Sequence, residues 1–203
     1  GDAPHDLSAI MSDVGMILSK ITAYDFPKSG FLNKELEVVP YESSDIINFA
    51  QGCLNDKTVL SVLSPEVISG IQKAIEHNAS LLPADDGKHL VHGDFDPANI
   101  LVDKINGSWV VTGILDWEFA FSGSCLWDVA NMLRYAHKMP PEFQNSFIDA
   151  LQRNGVKLPD CWPKTTYLLN LSSLLDLLKR SDPQIHPHRC ADTRELVTHI
   201  LSK

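Results

Sequence analysis

Apolar residues recur every three or four positions along most of this chain, which is the spacing of one face of an α-helix. The first run extends from Leu7 to Ile21 and predicts an amphipathic helix over residues 6–22. Ser64 and Pro65, an N-cap followed by proline at the first helical position, predict another helix that ends before Pro83. The same period predicts helices at 44–55, 125–137, 141–153, 163–179 and 192–202.

A different pattern occupies the middle of the chain. The runs NILVDK and SWVVTGILD are apolar and β-branched, and the pair Asn106-Gly107 separates them. Asn-Gly between two such runs is typical of a tight β-hairpin. Residues 25–43, rich in proline, glycine and polar residues, are predicted to be a long connection. The sequence therefore predicts a mostly helical α+β domain with one small hairpin.

Composition and charge narrow the class of protein. The chain has 203 residues, of which 44% are hydrophobic and 21% charged, as in an ordinary globular domain. A formal charge of -9 argues against a general nucleic-acid binder, because such proteins need cations to displace counterions from phosphates. Four cysteines without a C-x-x-C pair indicate reduced thiols and a cytoplasmic protein. Polar residues interrupt the most apolar window, YLLNLSSLLDLLK, so no membrane span is predicted.

The stretch LVHGDFDPANILV places several polar residues directly before the hairpin. Asp94 and Asn99 lie five positions apart, and Asp116 follows the second predicted strand. A tight hairpin returns the chain to its starting point, so we expect Asp116 beside Asp94 and Asn99. Oxygen ligands of this kind suit Mg²⁺ with a bound nucleotide, with Asn99 and Asp116 on the metal and Asp94 facing an acceptor hydroxyl. The D-x-x-x-x-N spacing is also that of the kinase catalytic loop, which indicates phosphoryl transfer.

These runs, together with ILDWEFA and WDVANMLRY, resemble the aminoglycoside phosphotransferase and choline kinase family, strongly over residues 90–135. The resemblance implies that Asp94 is the catalytic aspartate and that Asn99 and Asp116 bind magnesium and nucleotide. It also implies that His92 belongs to the catalytic loop and organises it, and that Asp128 is a structural residue that hydrogen-bonds this loop. Two further acids either touch substrate or metal indirectly or are simply solvated: Asp96 and Glu118.

Two departures from the family pattern concern the acceptor rather than the phosphoryl-transfer residues. The family often has Gly-Asp-Pro before its aromatic-Asp pair, whereas this chain has SGSCLWD. The first helix commonly ends in Leu-His, whereas here the sequence is ITAYDF. The acidic loop and the net charge favour a small cationic acceptor, such as an aminoglycoside or amino alcohol. Neutral sugars and amino acids stay open.

The resemblance also implies an architecture. Residues 1–203 would be the C-terminal lobe of a protein-kinase-like fold, since no strand with a nucleotide-binding Lys and no phosphate-covering loop precedes the first helix. The implied reaction is transfer of the γ-phosphoryl group of ATP or GTP to an alcohol. We expect this lobe alone to be inactive, and its exposed lobe interface to favour self-association.

Other interpretations follow from the same residues. A non-catalytic binding or scaffold domain could keep this fold, and a metal-dependent hydrolase could use the same carboxylates; nucleotide-dependent magnesium binding separates the three. His186, His188 and Cys190 are metal-ligating residue types, but three ligands in a proline-stiffened loop favour a surface connection over a zinc site. Gly87-Lys88 is not a phosphate loop, because position 82 is Leu rather than Gly.

Overall fold

A computed structural model describes residues 3–39, 46–83 and 87–203 of the chain. The described residues form two compact units. Unit 1 draws on the described residues within 1–42 and 83–162, and unit 2 on those within 43–82 and 163–203. The predicted α+β, mostly helical class is confirmed.

The predicted helices are present, with some shifted ends. The eight α-helices of the described residues are α1 (Ala3–Thr22), α2 (Ile46–Leu54), α3 (Lys57–Val62), α4 (Pro65–His77), α5 (Leu126–Leu133), α6 (Pro141–Arg153), α7 (Trp162–Lys179) and α8 (Pro187–Leu201). Helix α3 was not predicted, and residues 44 and 45 of the predicted second helix lie outside the described residues. Helix α8 begins five residues earlier than predicted, because Pro187 is well tolerated in the first turn.

The expectation of a single hairpin was incomplete. The described strands are β1 (Gly30–Leu32), β2 (Val38–Val39), β3 (His89–Val91), β4 (Ile100–Ile105), β5 (Ser108–Ile114) and β6 (Phe121–Gly123). Four of them form an antiparallel sheet in the order β2-β1-β6-β3. Each of these four strands has two or three residues, too few to show alternation in the sequence. The predicted long connection therefore contains β1 and β2.

Strands β4 and β5 pair separately as an antiparallel hairpin. Its turn residues Asn106 and Gly107 have φ angles of 53° and 86°, as a tight turn between twisted strands requires. The register shifts between Leu101 and Val102, which is a β-bulge in the ladder. Past the last ladder pair, the Leu115 N–H donates to the Asn99 carbonyl (2.9 Å). The open end of the hairpin thus brings residues 99 and 115 together.

The core of unit 1 fixes the hairpin against α1 and α6. The two helices approach closely at Gly15, where an added Cβ would lie 2.4 Å from the Phe147 carbonyl oxygen. Met11, Val14 and Leu18 form the buried face of α1. From the same helix, Asp13 accepts a hydrogen bond from the Val111 N–H of β5 (2.7 Å). The hairpin is therefore held by both apolar packing and a side-chain acceptor.

Unit 2 is helical, with a core of its own. Helix α7 contributes many of the buried residues, among them Leu171, Leu174 and Leu178. Helix α4 begins as predicted, with the Ser64 hydroxyl accepting from the Val67 N–H (3.4 Å). None of the helices in the described ranges combines the length and apolar character needed to cross a membrane.

Candidate functional site

The loop between β3 and β4 begins at His92 and ends in a short 3-10 helix, Pro97–Asn99. Asp96 caps this turn, since its Oδ1 accepts a hydrogen bond from the Ala98 N–H (2.8 Å). One carboxylate oxygen of Asp96 is thus used in a hydrogen bond within the turn, as is common for Asp in loops. Asp94 is half-buried at the centre of the loop.

Asn99 joins the parts of the site. Its Nδ2 donates to both the backbone oxygen of Asp94 (2.9 Å) and the Asp94 Oδ2 (3.1 Å). Its own carbonyl accepts from the Leu115 N–H. Because Nδ2 is used as the donor, Oδ1 is the amide atom left to act as a ligand, and it accepts no hydrogen bond from the described residues. Asn99 is almost entirely buried, with 8% of its surface exposed.

Asp116 follows Leu115 directly and adopts the left-handed conformation, with φ 59° and ψ 61°. This conformation is uncommon outside glycine, but Asp adopts it more readily than most residues. It separates β5 from a 3-10 helix, Trp117–Phe119. Asp116 and Glu118 both have exposed side chains, and Glu118 makes no hydrogen bond or ion pair with the described residues. The turn therefore presents the Asp116 carboxylate at the open end of the hairpin.

His92 is completely buried and connects the two segments of the site. Its Nδ1 accepts a hydrogen bond from the Asp94 N–H (3.2 Å), and its Nε2 lies 2.8 Å from the Leu115 carbonyl oxygen. Since Nδ1 is the acceptor, the proton must be on Nε2, which donates to Leu115. Burial lowers the pKa of His92 from its ordinary value, which favours this neutral tautomer. The geometry favours a positioning role for the ring.

Aromatic side chains enclose the His92 ring. Trp117 lies 4.6 Å away between ring centroids, and Phe95 packs edge-on at 5.9 Å. The Trp117 Nε1 donates to the Ile114 carbonyl (3.1 Å), which fixes the indole at the end of β5. The D-W-E run thus contributes an aromatic wall beside the carboxylate of Asp116.

Asp128 lies in the first turn of α5, where its carboxylate is fully buried. Its Oδ2 accepts from the His92 N–H (2.8 Å) and its Oδ1 from the Gly93 N–H (2.9 Å). Burial raises the pKa of Asp128 to about 7, although both amide donors lower it. Asp128 therefore holds the loop backbone at His92 and Gly93.

Two further residues that the sequence did not predict support the loop: Asn131 in α5 and Arg134 directly after its last residue. The Asn131 Nδ2 donates to the Gly93 carbonyl (2.9 Å), and an Arg134 guanidinium nitrogen donates to the Asn131 Oδ1. In the sequence, Asn131 and Arg134 follow Asp128 at intervals of three residues, and this spacing keeps the three side chains on one side of the helix.

The other cluster considered from the sequence does not form a metal site. Cys190 is buried in α8, whereas His186 and His188 are exposed at its start. In the described parts of the chain, no group of three His, Cys, Asp or Glu side chains is arranged to hold a metal ion. The two-ligand site predicted from the sequence, Asp116 with the amide of Asn99, is not such a group, because it contains one Asp and Asn is not among these residue types.

Several solved structures share this fold. An aminoglycoside phosphotransferase APH(4)-Ia mutant, in complex with ADP and hygromycin B, is 19% identical with a TM-score of 0.69 and covers 98% of this chain. The choline kinase LicA from Streptococcus pneumoniae is 12% identical with a TM-score of 0.62 and also covers 98%. The chain therefore has the protein-kinase-like fold of the aminoglycoside phosphotransferases.

The sequence also matches a family. The profile of the phosphotransferase enzyme family (APH) matches residues 1–165, most of the chain. The chain therefore belongs to this family, and the family prediction is confirmed. No curated protein sequence matches it significantly. The chain spans 66% of the length of the aminoglycoside phosphotransferase and 65% of that of the choline kinase.

Proposed function

We propose that this chain is the catalytic lobe of a small-molecule kinase that transfers the γ-phosphoryl group of ATP or GTP to a hydroxyl group. The observation that carries this proposal is the position of Asn99, which contacts Asp94 through its side chain and Leu115, the neighbour of Asp116, through its backbone. Phosphoryl transfer depends mainly on positioning and charge stabilisation. One amide residue here connects the proposed acceptor side with the proposed metal side.

Asp94 is the proposed catalytic residue, which orients the acceptor hydroxyl and accepts its proton. Its carboxylate receives the Asn99 Nδ2–H on Oδ2, which leaves Oδ1 to face an acceptor. Its backbone N–H is held by the His92 ring. Because both its side chain and its backbone are held, Asp94 loses little freedom when the acceptor binds. Positioned groups accelerate a reaction in this way.

We propose that the residues at the hairpin end bind a magnesium ion. The proposed ligands are the Asn99 Oδ1 and the Asp116 carboxylate, both hard oxygen donors. Mg²⁺ in kinases commonly takes one or two protein ligands and completes its shell with phosphate and water oxygens. When bound, it would neutralise negative charge on the phosphates. The protein's part is to hold the two oxygens, through the β4–β5 ladder and the left-handed turn at Asp116.

The nucleotide also needs groups outside this chain. The solved relative with ADP is longer, since this chain spans 66% of it. We propose that a further, N-terminal lobe supplies the Lys and the loop that cover the phosphates, as kinases of this fold require. Apolar side chains near the proposed site are exposed and would be covered by that lobe or by self-association: Leu101, Leu115, Trp117 and Phe119.

The proposed acceptor is small and cationic, such as an aminoglycoside or amino alcohol. Three carboxylates are concentrated near the His92 ring, since the charge of each favours its protonated form: Asp94, Asp96 and Asp116. A concentration of negative charge attracts cations. One solved relative binds hygromycin B and another is a choline kinase, which supports this class of acceptor.

The test is an acceptor screen that follows ADP or GDP release. The 203-residue chain is compared with a protein extended at its N-terminus by roughly one small domain, on the order of 100 residues. We expect the extended protein to turn over with at least one aminoglycoside or amino alcohol, and the shorter chain to show little activity. Equal turnover by both would contradict the two-lobe proposal. Nucleotide binding without turnover on any acceptor would favour a scaffold domain.

A further inference from the structure

One face of α5 contacts the backbone of the loop that carries Asp94. The face consists of Asp128 and Asn131, and Arg134 follows at the same three-residue spacing directly after the last residue of α5. Asp128 accepts from the N–H groups of His92 and Gly93, and Asn131 donates to the Gly93 carbonyl. Helix α5 therefore binds both the donor and the acceptor of Gly93.

The contact at Gly93 determines the direction in which the chain enters Asp94. Gly93 has a φ of 85°, and an added Cβ would lie 2.3 Å from the Phe119 carbonyl oxygen. A glycine backbone has wide freedom, so its conformation has to be held by its neighbours. Because the Gly93 carbonyl belongs to the same peptide plane as the Asp94 N–H, the Asn131 bond restrains the plane on which Asp94 begins.

Arg134 determines which end of the Asn131 amide faces the loop. An amide has a donor end and an acceptor end of nearly the same shape, whereas a guanidinium has donors alone. With Arg134 on its Oδ1, the Asn131 side chain, 4% exposed, must present Nδ2 to the Gly93 carbonyl. Asp96 and Asp94 are among the charges that favour the cationic form of Arg134, so the guanidinium also lies within range of the loop carboxylates.

We propose that Asn131 and Arg134 are positioning residues for the reaction, with Arg134 acting through Asn131 on the Gly93–Asp94 peptide. The proposal rests on the proposed function for the role of Asp94. It assigns no contact with substrate to either residue. Its distinguishing consequence is that the two residues are coupled, so removing both lowers turnover by less than the product of the two separate losses.

A double-mutant cycle on turnover tests this consequence in the N-terminally extended protein. The variants are Asn131→Ala, Arg134→Met and both together, with the exposed Arg153→Met of α6 as the matched control. We expect each single variant to lower kcat about 10-fold, with KM values kept within about 3-fold, because a displaced carboxylate costs rate more than binding. The double variant should lose clearly less than the product of the two single losses, about 100-fold, because only the charge effect of Arg134 on Asp94 and Asp96 is left to lose once Asn131 is absent. Additive losses, or a loss confined to KM, would overturn the proposal.

Asn131→Asp separates the two hydrogen bonds of Asn131. A carboxylate still accepts from Arg134 but has no hydrogen to donate to the Gly93 carbonyl. We expect this variant to fold and to lose as much kcat as Asn131→Ala. If it turns over like the parent, the Gly93 bond has no positioning role and the proposal is wrong.

Amide hydrogen exchange tests the same cycle without any reaction. In the 203-residue chain, we expect the amides of residues 92–94 to exchange about 10-fold faster in each single variant, and to be accelerated in the double variant by less than the product of these two increases. Exchange at the β4–β5 ladder should stay as in the parent. If the extended protein has no kinase activity, the proposed function fails, while this cycle still decides whether Arg134 acts through Asn131. Unchanged exchange at residues 92–94 would overturn the proposal.

Discussion

The two oxygens of the buried Asp128 carboxylate each accept one backbone N–H, Oδ2 from His92 and Oδ1 from Gly93. The bonds join residues 36 and 35 positions apart. An isolated buried charge is costly, and these donors offset part of that cost. The carboxylate thus couples the conformation of the loop to its own protonation state.

This coupling predicts a pH dependence of stability. The pKa of Asp128 rises on folding from its ordinary value of 3.8 to about 7, so between these limits the folded state binds more protons than the unfolded state. The contribution of Asp128 to the free energy of unfolding should therefore fall as the pH rises from 5 to 8. Urea unfolding of the parent and of Asp128→Asn over this range measures the contribution as the difference between the two.

The exposed Asp160→Asn serves as the control for the change of one carboxylate to an amide. His92 has a lowered pKa, so its contribution has the opposite sign and is lost as the pH falls. Because His92 is present in both proteins, the difference in free energy of unfolding between the parent and Asp128→Asn largely isolates the contribution of Asp128. A difference that grows with rising pH would contradict the assignment to Asp128.

Gly93→Ala should destabilise the chain more than Gly107→Ala. Both glycines have a φ near 85°, but nothing lies within 4 Å of a Cβ built on Gly107, whereas one on Gly93 would meet the Phe119 carbonyl. Gly107→Ala should cost about 1–2 kcal/mol for the backbone conformation alone. Gly93→Ala should cost more, on the order of 3 kcal/mol, because the backbone must also move. Urea unfolding of both variants checks this, and equal losses would mean that the Phe119 contact relaxes freely.

Asp94→Asn in the extended protein should lower kcat by at least about 10²-fold, the lower end of what a positioned base contributes. Nucleotide affinity should be nearly unchanged, because Asp94 is assigned to the acceptor side. Steady-state kinetics with the best acceptor of the screen measures both quantities. Asp103→Asn, at an exposed position on β4, should behave like the parent. Turnover of Asp94→Asn at the parental rate would remove Asp94 from its role.

Asp116→Ala and Asn99→Ala should each weaken binding of the magnesium nucleotide, because each removes one of few protein oxygen ligands. Calorimetric titration of each variant in the extended protein, with and without magnesium, gives the affinities. Asn99→Asp is the informative comparison, since it keeps an oxygen ligand but has no N–H to donate to Asp94. It should retain metal-dependent binding and lose turnover. If both alanine variants bind like the parent, the metal site lies elsewhere.

The local features of the site could be predicted from the sequence. Asn106 and Gly107 specify a tight turn through their own backbone preferences, and the β-branched residues on either side specify strands. The contact between Asn99 and Leu115 then follows, because a hairpin returns the chain to its starting point whatever surrounds it. The starts of α4 and α6 also have local causes. The Ser64 side chain caps α4, and Pro141, which has no N–H, suits the first position of α6.

Other features depended on contacts between distant segments, and only the tertiary structure decided them. The strands of the four-stranded sheet are too short to have a sequence period, and they exist because each pairs with a distant partner. The sequence does not distinguish Asp13 from an ordinary exposed acid of α1. Only the packing of that helix places its carboxylate beside the Val111 N–H. Asn131 likewise acquires its partner, the Gly93 carbonyl, only when α5 packs against the loop. The sequence determines which groups are available, and the fold determines which of them meet, because a hydrogen bond requires a distance and direction that spacing along the chain does not contain.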